Sequence, residues 1–225
     1  MTITLNGTTG ITSTGITETS DGKVGIGTSL PLNRLTTRAT GNDYSSGSLS
    51  LESLGGANAT YLTQTTPGDF YISNGGGADH IKLDSAGRVT MPYQPVFSGN
   101  RVGLSQIVNV AGTINFTPVA NQGSHWNTST NTFTCPVAGK YFVSFYNLTN
   151  GDATTTASSV FIKRNGSGIY NAYTEGGTST SGNNYWNSSI SGVLDCQASD
   201  TITFDLASGV VYSGQYAAAT VYLIG

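Results

Sequence analysis

The apolar residues of this chain fall mostly in short segments with the two-residue period of a β-strand. In the clearest segment Ile202, Phe204 and Leu206 face one way, and the residues between them are polar. Such segments recur from residue 94 to the C-terminus, separated by turn residues that include the hairpin dipeptide Asn165-Gly166. The pattern predicts an all-β fold with a sandwich or jelly roll over residues 94–225.

Two of these segments are apolar on both faces. In residues 141–148 aromatic and aliphatic side chains occupy both sides of the predicted strand, and residues 220–224 show the same pattern. A two-layer sandwich buries only one face of each sheet, so the second face needs a cover. Long loops are one candidate, and we favour a neighbouring copy of the chain. The residues assigned to this interface are Tyr141, Val143, Phe145, Tyr222 and Ile224.

Residues 1–93 differ from the rest of the chain in having few large rings. They contain 5 of the 22 aromatic residues, and aromatic rings supply much of the buried area of a core. Short β segments alternate with glycine-rich turns, and residues 49–54 are also compatible with a short helix. Hairpins of this size are marginal in water unless they stack. We therefore expect an elongated β-hairpin shaft over residues 1–93 that needs copies of itself, with a disordered linker as the alternative.

The composition excludes several classes of partner. Of the 225 residues only 9% are charged, with 9 basic and 12 acidic side chains and a formal net charge of −3. No basic cluster could neutralise a row of phosphates, so we expect no nucleic-acid partner. No apolar run approaches the ~20 residues that cross a bilayer, so we expect no membrane partner. The first residues lack the basic and apolar regions of a signal peptide, which predicts a product of the cytoplasm.

Residue types that carry enzyme chemistry are scarce. The two histidines are His80 and His125, and no nucleophile elbow, phosphate-binding loop or zinc-protease motif is present. Asp195, Asp200 and Asp205 recur every five residues, a spacing that suits turn caps on successive strands better than a paired glycosidase site. We therefore expect no enzymatic activity and no cofactor, with calcium on loop carboxylates as the one metal to consider.

The two cysteines, Cys135 and Cys196, allow two interpretations. They form a disulfide, or they are small buried hydrophobic residues in strands. The lack of a visible secretory signal favours the reduced thiols.

Three aromatic residues lie in amide-rich segments. Trp126 stands between a histidine and an asparagine, and Tyr185 and Trp186 lie within a run of asparagines. A ring that stacks on the face of a sugar, with amides and hydroxyls around it, is a common way to bind glycan. Trp126, Tyr185 and Trp186 are therefore candidate contacts for a host glycan or receptor, and burial in the core or an interface is the alternative.

Two N-terminal segments carry a family resemblance. Residues 21–31, Asp-Gly-Lys-Val-Gly-Ile-Gly-Thr-Ser-Leu-Pro, resemble a glycine-rich element of phage tail-fibre and structural proteins. Residues 87–97 are similar to a junction in virion proteins of marine and cyanobacterial phages. The resemblance implies a virion structural protein that is assembled in the cytoplasm of a bacterial host. It also implies that residues 1–93 bind other virion proteins of the tail, baseplate or capsid.

The C-terminal part carries a second resemblance, on four segments in order. Residues 133–145, 160–166, 191–202 and 212–224 resemble the strand motifs of the globular head of complement C1q. This implies a ten-stranded jelly roll that trimerises through aromatic strands, as in relatives of tumour necrosis factor. The chain departs from that family in having Ser199 where glycine is usual and in lacking a collagen stalk.

Together these features favour a homotrimeric tail fibre, or a fibre-like appendage, whose head contacts the host surface. The alternative is a capsid decoration or head fibre that stabilises the shell or its assembly without binding a receptor. A secreted lectin-like cellular protein fits less well, because no secretory signal is visible.

Overall fold

The computed structural model describes residues 16–18, 20, 24–26, 35–37, 49–52, 59–64, 68–74, 79–108, 110–151, 157–176 and 184–225. Within these residues all the regular secondary structure is β-strand, which confirms the prediction of an all-β chain. None of the described segments is a helix long and apolar enough to span a membrane. The chain divides into two compact units, Met1–Tyr93 and Gln94–Gly225.

The described strands of the N-terminal unit form two sheets. They are β1 (Ile16–Glu18), β2 (Val24–Ile26), β3 (Leu35–Thr37), β4 (Leu49–Glu52), β5 (Ala59–Gln64), β6 (Phe70–Asn74), β7 (Asp79–Leu83) and β8 (Val89–Thr90). In the first sheet β2 pairs with β1 antiparallel and with β3 parallel. In the second sheet β4 to β8 follow one another as an antiparallel meander.

Two sequence-based expectations fall on this unit. Residues 49–52 form strand β4, so the short helix considered for that segment is wrong. Of the phage-like segment 21–31, only the strand Val24–Ile26 lies among the described residues. The elongated shaft stays a prediction.

The head unit is an antiparallel β-sandwich. Its strands are β9 (Val96–Arg101), β10 (Ile107–Val108), β11 (Gly112–Thr113), β12 (Thr117–Gln122), β13 (Trp126–Asn127), β14 (Thr132–Thr134), β15 (Gly139–Gly151), β16 (Ala157–Arg164), β17 (Ser167–Glu175), β18 (Asn184–Cys196), β19 (Thr201–Ser208), β20 (Val210–Val211) and β21 (Gly214–Leu223). One sheet has the order β12-β9-β21-β15-β18. The other has β13-β14-β19-β16-β17, with β11 also paired to β19.

This arrangement confirms the β-sandwich and changes the strand count. The family resemblance implied ten strands, and the described head has thirteen. Four of the thirteen are only two residues long. Of these, β10 and β20 pair with each other as a separate two-stranded sheet, and β11 pairs with β19 beside the main sheet.

Aromatic rings fill the space between the two sheets. The rings of Phe97 and Trp126 stack with centroids 4.0 Å apart and planes 7° apart. Phe116 packs edge-on against Trp126, Phe145 and Phe204 at 5.8–6.0 Å. Offset stacks and edge-to-face contacts of this kind are the preferred geometries of aromatic pairs, so the core is closely packed around these rings.

The predicted hairpin at Asn165-Gly166 is confirmed and is tied to the neighbouring strand. Both residues have positive φ (50° and 77°), as a two-residue hairpin turn requires. The Asn165 amide donates to Asp200 Oδ1 (2.7 Å) and accepts from the Thr201 backbone N–H (2.8 Å). The Asn165 amide, followed by the Gln197 backbone N–H, lowers the pKa of Asp200 below its ordinary value. Asp200 therefore acts as a turn cap.

Candidate functional site

The outer surface of the five-stranded sheet carries exposed aromatic residues. They lie on β15, β18 and β21, and the residues that alternate with them fill the core. We call this surface the outer aromatic face. It comprises the exposed residues Tyr146, Tyr185, Val193, Tyr216 and Tyr222 and the half-buried Phe142.

Rings cluster at both ends of the outer aromatic face. At one end Phe142 lies opposite Tyr222 in the ladder, with ring centroids 5.2 Å apart, and Val193 flanks it on the other side. At the other end the Tyr212 ring lies between Tyr185 (5.9 Å) and Tyr216 (5.7 Å) in edge-to-face contacts. A hydrogen bond with the Tyr185 hydroxyl raises the pKa of Tyr212.

Small hydroxyl residues occupy the middle of the outer aromatic face. Ser144 lies opposite Ser191 on one side and Thr220 on the other. A shallow depression of about 300 Å³ lies there, lined in part by Phe142, Ser144 and Ser191. On β15, β18 and β21 the charged residues are Lys140 and Asp195, which form an exposed pair at the margin (3.6 Å). The face is thus partly apolar and almost uncharged.

Three of the five residues assigned to a subunit interface lie elsewhere. Tyr141, Val143 and Phe145 belong to the face of β15 that points into the sandwich, and each is at most 1% exposed. Their assignment to an interface is therefore wrong, because the core already covers them. Tyr222 is 37% exposed and lies on the outer aromatic face, and Ile224 is exposed just beyond the end of β21.

The three candidate glycan contacts are not brought together. Trp126 is 3% exposed and stacks on Phe97 in the core, so it offers no surface to a ligand. Trp186 points inward from β18 and is half-buried, and a Cβ at Gly176 would lie 2.6 Å from its ring. Tyr185 points outward and is 51% exposed. Of the three, Tyr185 alone is placed to contact a partner.

The two cysteines are buried free thiols that lie close to each other. The Cys135 backbone N–H donates to the Asp200 carbonyl and its carbonyl accepts from the Ser199 N–H, both at 2.8 Å. Burial, and next the electrostatic interaction with the neighbouring Cys196, raises the pKa of Cys135. Burial also raises the pKa of Tyr141 to about 12, and its hydroxyl donates to the Val137 carbonyl (2.9 Å). The Cys135 thiol and the Tyr141 hydroxyl therefore stay protonated at neutral pH, and both have a structural role.

Metal ligands are sparse in the parts of the chain that the structure describes. Within those parts, no three His, Cys, Asp or Glu side chains approach closely enough to hold a metal ion. The calcium site considered for loop carboxylates therefore stays a prediction without an assigned set of ligands.

Comparisons with known proteins match the head. The family model of the C1q domain matches residues 96–222. The globular domain of zebrafish complement 1qA protein is 18% identical over 58% of this chain and 98% of its own, with a TM-score of 0.46. Eiger TNF from S. frugiperda is 9% identical over 59% and 93%, with a TM-score of 0.49. Murine APRIL is 12% identical over 58% and 99%, with a TM-score of 0.45. No curated protein sequence matches the chain.

Proposed function

The chain belongs to the C1q domain family, and from this premise we propose that it is a non-enzymatic, homotrimeric structural protein of a bacteriophage particle. In this proposal it is a tail fibre or fibre-like appendage that is assembled in the host cytoplasm. Residues 1–93 attach it to other virion proteins, and the head contacts the host surface. The phage-like segments 21–31 and 87–97 support the virion location.

The outer aromatic face is the observation that carries the proposal of a trimer. The exposed Tyr222 and Val193 and the half-buried Phe142 between them form an apolar cluster on a face with charge only at its margin. Apolar, charge-poor surfaces with aromatic residues are typical of the centres of protein interfaces. Because identical chains present the same face, closed rotational symmetry lets each copy cover part of its neighbours. We therefore place the subunit contacts on this face.

The head is the part that we assign to the host surface. Its sandwich core is complete without a partner on the six-stranded sheet, so that side stays available when the five-stranded sheet is covered. Three heads on one axis would raise the apparent affinity for a repeated surface ligand by avidity, even where each single contact is weak. A host glycan is the ligand class that we propose.

The location of the chain on a particle tests this function. Antibodies raised against the purified chain are applied to virions of the phage that encodes it, followed by gold labelling and electron microscopy. We expect gold at the tail or baseplate, and fluorescent chain should adsorb to the phage's host cells. Gold confined to the capsid surface, with no adsorption of the chain, would replace the fibre by a shell decoration. Particles that carry no gold would refute a virion role.

A further inference from the structure

The outer surface of the six-stranded sheet has a depression on the side away from the proposed subunit contacts. It has a volume of about 540 Å³. Its lining includes the Phe161 ring and the ion pair of Lys163 and Asp205. It also includes small residues that leave space above them, among them Gly112, Gly168 and Ala207. We call it the Phe161 depression. It lies on the opposite side of the sandwich from the outer aromatic face.

The Phe161 ring is not used by the core. Phe161 is half-buried on the outward side of β16, opposite Asp205 on β19 and Asn171 on β17. It is not a member of the hydrophobic core cluster. A Cβ at Gly168 would lie 3.1 Å from Cδ1 of the ring, so the glycine leaves that edge uncovered. A bulge between Ile162 and Lys163 occurs at the same place, and bulges re-aim side chains.

An ion pair with unused hydrogen-bonding capacity borders the ring. Lys163 Nζ lies 2.8 Å from Asp205 Oδ2, and the two side chains are 30% and 12% exposed. The Thr113 hydroxyl donates to Asp205 Oδ1 over 3.4 Å. An ammonium has three donors and a carboxylate about four acceptor positions, so both groups have capacity left. The pair therefore offers a charged donor and a charged acceptor side by side at no net charge.

We propose that the Phe161 depression binds a neutral hexopyranose unit of a glycan. The apolar C–H face of the sugar would lie on the Phe161 ring. Of two neighbouring sugar hydroxyls, one would donate to the Asp205 carboxylate and the other would accept from the Lys163 ammonium. This combination of an apolar platform with an adjacent donor and acceptor matches a pyranose ring, whose faces are apolar and whose rim is hydroxylated.

The charge of the site argues against other ligand classes. An anionic ligand would be attracted by Lys163 but repelled by the Asp205 carboxylate beside it. A cationic ligand would be attracted by Asp205 but repelled by Lys163. A neutral ligand is repelled by neither group. Its charge-assisted hydrogen bonds to both groups are stronger than hydrogen bonds between neutral groups. The inference rests on the proposed host contact of the head for its biological purpose, and it gives that contact a site and a ligand class.

The test measures sugar binding by the full chain in solution. Saturation-transfer difference NMR is recorded with the methyl glycosides of glucose, galactose and mannose, and affinity is measured by titration. We expect binding of at least one glycoside, weakened about tenfold by Asp205→Asn and by Phe161→Leu. Asp195→Asn is the matched control, because it makes the same change in the exposed Lys140–Asp195 pair on the other sheet. It should bind as the wild type does.

A third variant decides the result if Asp205→Asn fails to fold. Ala207 is exposed at the rim, so Ala207→Gln should fill the depression without touching the core. Loss of binding in Ala207→Gln and Phe161→Leu supports the site. No transfer to any of the three glycosides, or wild-type affinity in both variants, overturns it. If the chain adsorbs to host cells but binds none of the glycosides, the sugar site is refuted and the proposed host contact is retained. Glycoside binding by a chain that is absent from virions would support the sugar site and refute the proposed virion role.

Discussion

Replacing Trp126 with alanine is expected to lower the free energy of unfolding of the head by about 3–5 kcal/mol. The indole is 3% exposed, stacks on Phe97 at 4.0 Å and meets Phe116 edge-on at 5.9 Å. Asn121 fixes its backbone with two hydrogen bonds, at 2.9 and 3.0 Å, so the strand cannot easily close over the space left behind. The substitution therefore removes buried area and leaves a cavity.

Unfolding in urea is monitored by circular dichroism. All proteins are compared at the same chain concentration, because assembly contributes to stability. Trp186→Ala serves as the comparison, and its loss should be smaller because that ring is only half-buried. A Trp126→Ala variant with wild-type stability would show that the ring is not part of the core. If that variant also lost adsorption to host cells, Trp126 would be the surface contact that its sequence context suggested.

Introducing aspartate at Phe142 or at Tyr222 is expected to convert the assembled chain to monomers. The two rings are cross-strand neighbours 5.2 Å apart at the centre of the apolar cluster on the outer aromatic face. An unpaired carboxylate enclosed in an interface costs several kcal/mol, which exceeds what a partly hydroxylated contact surface can offset. Within an isolated head the same aspartate would face solvent, so the sandwich itself should persist.

Sedimentation velocity and circular dichroism separate these effects. Ile169→Asp is the matched control, because Ile169 is an exposed aliphatic residue on the outward side of β17 in the other sheet. We expect the control to sediment as the wild type does, and the Phe142→Asp and Tyr222→Asp variants to sediment as folded monomers. Folded variants that keep the wild-type sedimentation coefficient would remove the outer aromatic face from the interface.

The sequence was sufficient to predict the sandwich and to identify the strands with two apolar faces, but not to decide which face points inward. A two-residue period separates the two faces of β15 without orienting them. Asn147 and Thr149 share a face with Tyr141 and give it a polar appearance. In the structure that face is buried, because Asn147 Nδ2 and Thr149 Oγ1 donate to the Val210 carbonyl at 2.7 and 2.6 Å. These partners are distant in sequence, so the pattern of β15 alone could not reveal them.

Trp126 was misplaced for a related reason. The histidine and the asparagine beside Trp126 suggested a glycan contact, but the ring is buried and Asn121 uses its amide to fix the backbone of Trp126. In the same way, the Phe161 depression has no signal in any single strand, because its ring, cation and carboxylate come from β16 and β19. The alternation in residues 201–206 correctly placed Asp205 on the outward side, and its pairing with Lys163 depends on strand order.

The mass of the intact chain in solution tests the central claim, a homotrimer, most directly. Light scattering coupled to size exclusion gives this mass independently of molecular shape, and a dilution series through the micromolar range shows whether the assembly holds. The chain has a mass of 23.3 kDa, and we expect a single species of three times that value. A monodisperse, folded species of 23.3 kDa at every concentration would contradict the assignment of the outer aromatic face to a subunit interface, and with it the trimeric fibre.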